Sequence, residues 1–582
     1  MTLRVSKNKL NPTLGLLKST LIKNGGIIVL TIIAMLIFCP GFFLATLQDQ
    51  KFKPEDFNSG SPEYLDVLFG ACGIISAIFV SIANYISFSY LYKKNSSDVF
   101  HALPLTRFGL IISRAGAAFI TVLIPLTVGY VSLLTLTAFY PTYVLGTFSQ
   151  IASAYIMNVI CMAFASAYSL IFIICAGSAF DLALSYIGFN SAVLIIGTII
   201  SSIADNHLSG YANDYINNIL KAVSPIVFCG TGAAEFALGE NGKTAYSLIS
   251  SGEFILQIII LTAVLFIASL ILYNHRKAER GGQAYAYKFI YIICSVLAGI
   301  CGGYLLSRIF IFAADAKDIS VIGAVTFIAG ALITAVVYGA VTERGFKKFK
   351  SSLVYGGIST VTYIIILAVI FGGAFGFTKR VPATSDIKNV SVRFQSEYVE
   401  LEGTGCEKAV TLHKAVIDKN ADDNLKTDVE TAHTYLYIEY TLNNGKTMAR
   451  EYYVDIPKVS NELFALYTSH ERFNAMYREI EEITSNTVDL EVYRYDKAEG
   501  GDFDGQNEYI VSKQQLKTLI DTYRSEINKV GEKAVTGEEV VMEISVWSNE
   551  EYRSGLEIYL TSDFTETMAL IDTFELRDQV LA

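Results

Sequence analysis

Nine long apolar runs divide the first 378 residues. They lie near 24–47, 64–92, 115–140, 151–177, 183–204, 252–273, 289–313, 319–341 and 352–376. A hydrocarbon core about 30 Å thick needs roughly 20 mainly apolar residues in helix, so each run predicts a membrane span. The run interiors hold Ser, Thr, Gly, Asn84 and aromatic residues. Asp66, Asp181, Asp205 and Arg308 fall near predicted ends, where a charged group sits at the interface. Ionisable residues inside a span mark ion pathways, and their scarcity argues against a carrier built on carboxylate relays.

Two shorter stretches flank this pattern. Asn11–Asn24 sets Leu14, Leu16, Leu17, Leu21 and Ile22 among Lys18 and Lys23, as a helix lying in the membrane interface does. Between the fifth and sixth runs, Asp205–Gly252 is long, and its Ser224–Leu238 part is apolar enough to dip into the membrane. Past residue 378 the periodicity changes. Val390–Leu401 alternates partly, as a strand does. Thr434–Leu442, Asn443-Asn444-Gly445-Lys446 and Thr447–Ile456 read as a hairpin around an Asn-Gly turn. Asn461–Ile483 and Ser512–Val530 have helical apolar spacing with many charges, and Glu538–Val546 and Gly555–Leu560 read as further strands. The expected fold is a polytopic α-helical membrane protein of about nine spans with a C-terminal soluble α+β domain. That domain, 379–582, is long enough to bury its own core. No long internal repeat is visible.

Charge orients the chain. Only 17% of residues are charged and mean hydropathy is +0.42, against about 25% charged in soluble proteins. Residues 1–378 carry 23 Lys and Arg against 16 Asp and Glu, whereas 379–582 carry 22 against 39. Basic residues stay on the cytoplasmic side, and every second connection is basic. These are the N-terminal segment with Arg4, Lys7 and Lys9, the loop with Lys93, Lys94, Arg107 and Arg114, the exit with Arg276, Lys277, Arg280 and Lys288, and the turn with Arg344, Lys347, Lys348 and Lys350. Gly177–Asn190, expected on the same side, has no basic residue. The N-terminus is then cytoplasmic, and an odd number of spans puts 379–582 outside the cell membrane. The first run lacks a clear cleavage site and reads as a retained span.

The chain carries no sign of an enzyme. It has no G-x-x-x-x-G-K-[ST] phosphate loop, no H-E-x-x-H, no C-x-x-C pair and no G-x-S-x-G. No catalytic or metal site is expected, and no nucleic-acid partner. His413, His433 and His470 fit no standard metal spacing and read as scattered surface residues. The acidic balance of 379–582 reads as a solubilising surface. Cys39, Cys72, Cys161, Cys175, Cys294 and Cys301 sit in apolar runs as small hydrophobes. Cys229 and Cys406 fall where exposure is expected; a bridge between them is one reading, but nothing in the spacing suggests it and they read as two unpaired thiols. Gly299-x-x-x-Gly303 predicts a close helix contact.

The most informative segment is the basic loop Lys93-Lys94-Asn95-Ser96-Ser97-Asp98-Val99-Phe100-His101-Ala102-Leu103-Pro104-Leu105-Thr106-Arg107. Ser96 or Ser97 suits the cap of a short helix over 98–102, and Pro104 suits its end. That predicts an exposed knob with Val99, Phe100 and Leu103 on it. The loop resembles the first cytoplasmic loop of ABC exporter permeases of the type-2 class, in which "L-P-[hydrophobic]-[ST]-[RK]" follows a polar "S-D". Asp98, Leu103, Pro104, Leu105, Thr106 and Arg107 match that pattern. The resemblance implies a coupling helix, drawn from Asp98, Val99, Phe100, His101, Leu103, Pro104, Leu105, Thr106 and Arg107, that docks on a separate ATPase subunit. The stretch before the first span resembles that class's connecting helix. Tyr273-Asn274-His275-Arg276-Lys277-Ala278-Glu279-Arg280 resembles its "Y-x-x-R-K-A-E" exit from the sixth span. By this resemblance 1–23 is the connecting segment, 24–280 the six-span permease domain and 281–378 three added spans. It further implies ATP and Mg on the partner ATPase, a second permease copy or homologue, and export. The large outer domain departs from the simplest members of the class and resembles extensions in some permeases of Gram-positive bacteria. A different reading of the same residues is a membrane sensor or assembly protein whose outer domain binds a ligand or partner.

Overall fold

The computed structural model describes residues 12–48, 62–93, 96, 99–100, 105–139, 148–212, 219–220, 223–238, 252–314, 320–394, 397–419, 433–482, 487–495, 503–536, 540–548 and 551–574. Among them, nine helices are long and apolar enough to cross a membrane. Each of the nine apolar runs falls on one of them. The chain forms two compact units, one of 1–201 and 215–367, the other of 202–214 and 368–582.

In the first unit, helix α1 (Pro12–Lys23) precedes α2 (Gly25–Leu36), which continues through a π-helical turn at Ile37–Gly41 into α3 (Phe42–Gln48). Pro40 lies in that turn, where its missing N–H disturbs the ordinary hydrogen-bond ladder. Then follow α4 (Pro62–Phe88), α5 (Arg107–Phe139), α6 (Phe148–Cys175) and α7 (Ala179–His207). The last two are separated by three residues only, so the connection expected over Gly177–Asn190 is almost all helix. Next come α8 (Pro225–Leu238), α9 (Gly252–His275), α10 (Lys288–Ala313), α11 (Val321–Thr342) and α12 (Phe349–Phe371).

The most enclosed of the long helices is α6; 78% of its apolar window is buried, against 11% for α9 and for the segment containing α12. The short helix α8 lies against α4 and α6. A Cβ at Gly73 of α4 would come within 2.0 Å of the Cys229 carbonyl oxygen of α8 and 2.7 Å of Asn158 Oδ1 of α6, so only glycine admits this approach. Phe228 and Cys229 are fully buried there, which corrects the expectation of an exposed Cys229. Three buried carboxamides tie the helices together. Asn84 donates to Ser166 and Ser169 hydroxyls at 3.0 Å, Asn158 to Tyr130 Oη at 2.6 Å, and Asn24 to Ser87 and Thr121. The glycine pair of α10 does mark a close contact, since a Cβ at Gly303 would stand 2.9 Å from the Phe327 carbonyl oxygen of α11.

The second unit contains two antiparallel four-stranded sheets. Their strands are β1 (Ile387–Phe394), β2 (Glu397–Glu402), β3 (His433–Leu442) and β4 (Thr447–Asp455), then β5 (Thr487–Tyr495), β6 (Phe503–Ser512), β7 (Val540–Ser548) and β8 (Glu551–Thr561). The sheet orders are β2-β1-β3-β4 and β6-β5-β7-β8. Each half runs hairpin, helix, hairpin, helix. Helix α13 (Gly405–Asp418) sits between the hairpins of the first half, followed after β4 by α14 (Ile456–Tyr467) and α15 (His470–Glu482). Helix α16 (Lys513–Val530) does the same in the second half, followed after β8 by α17 (Thr565–Ile571). This repeat of topology escaped the sequence reading.

The Asn443–Lys446 hairpin forms as expected, with Gly445 at φ +77°. Two other expectations change. Val390–Leu401 is two strands, not one, and Asn461–Ile483 is two helices broken at Thr468–Ser469. Ser512 caps α16 in a reciprocal box with Gln515. Cys406 is buried in the core that both sheets share, again contrary to expectation, and every described cysteine is a free thiol. His413 is also fully buried and is no surface residue.

Candidate functional site: the basic loop and its arginine anchor

The loop between α4 and α5 is anchored from both ends. Helix α4 passes into a 3-10 turn at Ser89–Tyr92. Ser96, Val99 and Phe100 are helical, while Asp98, His101, Leu103 and Pro104 lie outside the described residues. Thr106 caps α5, its hydroxyl accepting the Gly109 N–H at 3.0 Å. Val99 is 65% exposed. Phe100 is not part of an exposed knob. Its ring packs 4.5 Å from that of Tyr90, and the Arg114 guanidinium lies 4.3 Å from the Phe100 ring and 4.5 Å from the Tyr90 ring. Leu105 packs on the same cluster. Of the expected coupling residues, Phe100, Leu105 and Arg107 thus turn toward the helix ends, and Val99 faces out.

Tyr90 extends the cluster to the exit of α9, where its hydroxyl lies 2.6 Å from that of Tyr273. Arg107 donates to the carbonyl oxygens of Asn274 and, at 3.3 Å, Arg276. Arg276 itself is buried. It donates to the carbonyls of Ile173, Ile174 and Ala176 at the end of α6, and at 3.0 Å to that of Leu91. Helix C-termini leave carbonyls unpaired and carry partial negative charge. A guanidinium with five donors in a planar fork suits them. Burial pulls the Arg276 pKa below the usual arginine value, with Tyr92 and Cys175 partly opposing. Arg114 is buried as well and donates to the Ser87 carbonyl. No carboxylate pairs with Arg114 or Arg276 among the described residues. Cation–π contacts and carbonyls take that place.

The same end of the unit gathers two further segments. Gly177 and Ala176 pair with 282–285 through Gly177 N–H to the Ala284 carbonyl, Gly282 N–H to the Gly177 carbonyl, and a bridge from Ala176 to Tyr285. Helix α1 lies along α5, with the Ser113 hydroxyl donating to the Thr13 carbonyl at 3.1 Å. The connections α4–α5, α6–α7 and α9–α10 therefore meet in one polar layer. The sequence names Arg114 only as a loop charge, and Arg276 as a loop charge within the Tyr273–Arg280 exit segment. Their signal was position: each stands where an apolar helix begins or ends, with tyrosines nearby.

No family model, no curated protein and no solved structure matches this chain. No group of three or more His, Cys, Asp or Glu among the described residues is arranged to hold a metal ion. An exposed apolar residue on a short helical piece is thus joined by an aromatic–arginine cluster to the ends of four long helices.

Proposed function

We propose that the chain is the permease subunit of an ATP-driven transporter of the ABC type-2 class, working with a separate ATPase and a second permease. The observation that carries this reading is the anchoring of the loop. Phe100 against Tyr90 and Arg114, and Arg107 on the Asn274 and Arg276 carbonyls, tie the loop to α4, α5, α6 and α9. A push on the face around Val99 would move those helix ends together. The basic character of this layer supports its place on the cytoplasmic side, with 379–582 outside and the chain in the cell membrane. Helix α8, seated by Gly73 on α4, would close the opposite end until the helices shift. Export is the direction favoured by the resemblance.

The test is coupling. Val99→Asp should weaken capture of the ATPase, and Arg107→Ala should leave capture intact but lower ATP-dependent transport at least tenfold, as loss of a few kcal/mol of linkage would. Normal capture and normal transport in both variants would overturn the docking assignment.

A further inference from the structure

Strand β4 carries two polar side chains on the face that packs into the domain core. Arg450 and Tyr452 are each 1% exposed. The repeated sheet provides an internal control. In the first half, the cross-strand row reads Val392, Ile438, Arg450. In the second it reads Val492, Ile544, Ile558. In the adjacent row, Leu436 pairs with Tyr452 where the second half pairs Met542 with Leu560. The sheet therefore forms with aliphatic residues at both places, and its own packing does not call for Arg450 or Tyr452.

Both reach segments outside the sheets. Arg450 donates to the carbonyls of Phe377 at 3.2 Å and Arg380 at 3.4 Å, and its guanidinium lies 3.8 Å from the Phe377 ring. These residues follow α12. The Tyr452 hydroxyl lies against Gly210, past the end of α7; a Cβ there would be 2.7 Å from Tyr452 Oη. Gly210 sits at φ +73°, so glycine is required for both space and backbone. The turn around it is well packed. Leu208 and Tyr211 are 7% exposed and Ala212 1%. His413 holds the tyrosine in place, with Nε2 2.7 Å from Tyr452 Oη and Nδ1 2.9 Å from Tyr440 Oη. A neutral imidazole gives one proton and accepts one, so both ring nitrogens are hydrogen-bonded and the ring holds both tyrosine hydroxyls.

We propose that β4 is a clamp: Arg450 and the His413-held Tyr452 bind the segment after α12 and the turn after α7 to the C-terminal domain. Residues 202–214 belong to the same compact unit as 368–582, and the division between units falls within α7. A load or ligand on the domain then acts on α7 directly, besides acting through the covalent connection after α12. The clamp does not depend on the transporter reading.

Hydrogen–deuterium exchange on the full-length protein in nanodiscs tests it. The double variant Arg450→Ile, Tyr452→Leu installs the residues of the second half. It should raise exchange at 204–212 by about tenfold or more while β5–β8 stay protected. Gly210→Val pushes from the other side and should give the same local rise with all eight strands protected. Unchanged exchange at 204–212 in Gly210→Val would overturn the clamp, even if the double variant disturbs the whole domain. A rise confined to β3 and β4 in the double variant would overturn it too, because Arg450 and Tyr452 would then serve their own sheet only.

Discussion

His413 should make the C-terminal domain sensitive to acid. Burial, and secondarily the nearby Arg450 charge, pull its pKa down to about 3, from an ordinary value of about 6.5. The unfolded chain therefore binds a proton that the folded domain refuses. Stability attached to this group is present above about pH 6.5 and falls as pH drops toward 3. At pH 5 the unfolded state is about 1.5 pH units into its titration, so the loss relative to pH 8 is about 2 kcal/mol. For a body of this size that lowers the midpoint by roughly 4–8 °C. The assay is thermal unfolding of the full chain in detergent, followed by the fluorescence of Trp547, the single tryptophan. His413→Phe separates this group from the carboxylates, which act in both proteins. The variant should begin about 1–3 kcal/mol less stable at pH 8, because two tyrosine hydroxyls lose their partner. From pH 8 to pH 5 it should then lose about 2 kcal/mol less than the parent. Equal losses in the two proteins would mean that His413 does not carry the acid sensitivity.

Three further outcomes are expected. Gly73→Ala should unseat α8, at a cost of about 1–3 kcal/mol for overpacking, and make Cys229 react with a thiol reagent that it resists in the parent. Arg276→Met should destabilise the first unit by about 3 kcal/mol or more, since four carbonyls lose a shared donor, and should open the 276–287 connection to protease. Ser512→Ala should cost the C-terminal domain about 1 kcal/mol through loss of the capping box, read as a lower urea midpoint with unchanged slope.

Hydropathy made the long helices legible, because a bilayer demands runs of one length and composition and little else in the sequence imitates them. The Asn443–Lys446 hairpin was legible for a local reason: Gly445 needs a positive φ, and tyrosines flank it. What escaped was long-range. Cys229 looked exposed because its segment is short and lies between polar stretches. Its burial depends on Gly73, far away in the chain. The two halves of the C-terminal domain share strand order but not residues, as Arg450 against Ile558 illustrates, so no repeat was visible. His413 had left a trace. Cys406, Ala409, Val410, His413 and Val416 share one helical stripe and are all buried, a spacing that points His413 at the core although the sequence reading set it on the surface. In the basic loop the residue types single out a functional candidate. The inward turn of Phe100 was not readable, because its partners Tyr90 and Arg114 belong to the ends of two different helices.

The partner proposed for this chain is an ATPase held at the basic loop. The most direct measurement is capture of the tagged protein from its native membrane in mild detergent, with mass spectrometry of what accompanies it. A stoichiometric protein carrying a phosphate-loop motif should accompany it, in reduced amount when Val99 is replaced by Asp. A clean preparation without such a protein, repeated after cross-linking, would contradict that partnership.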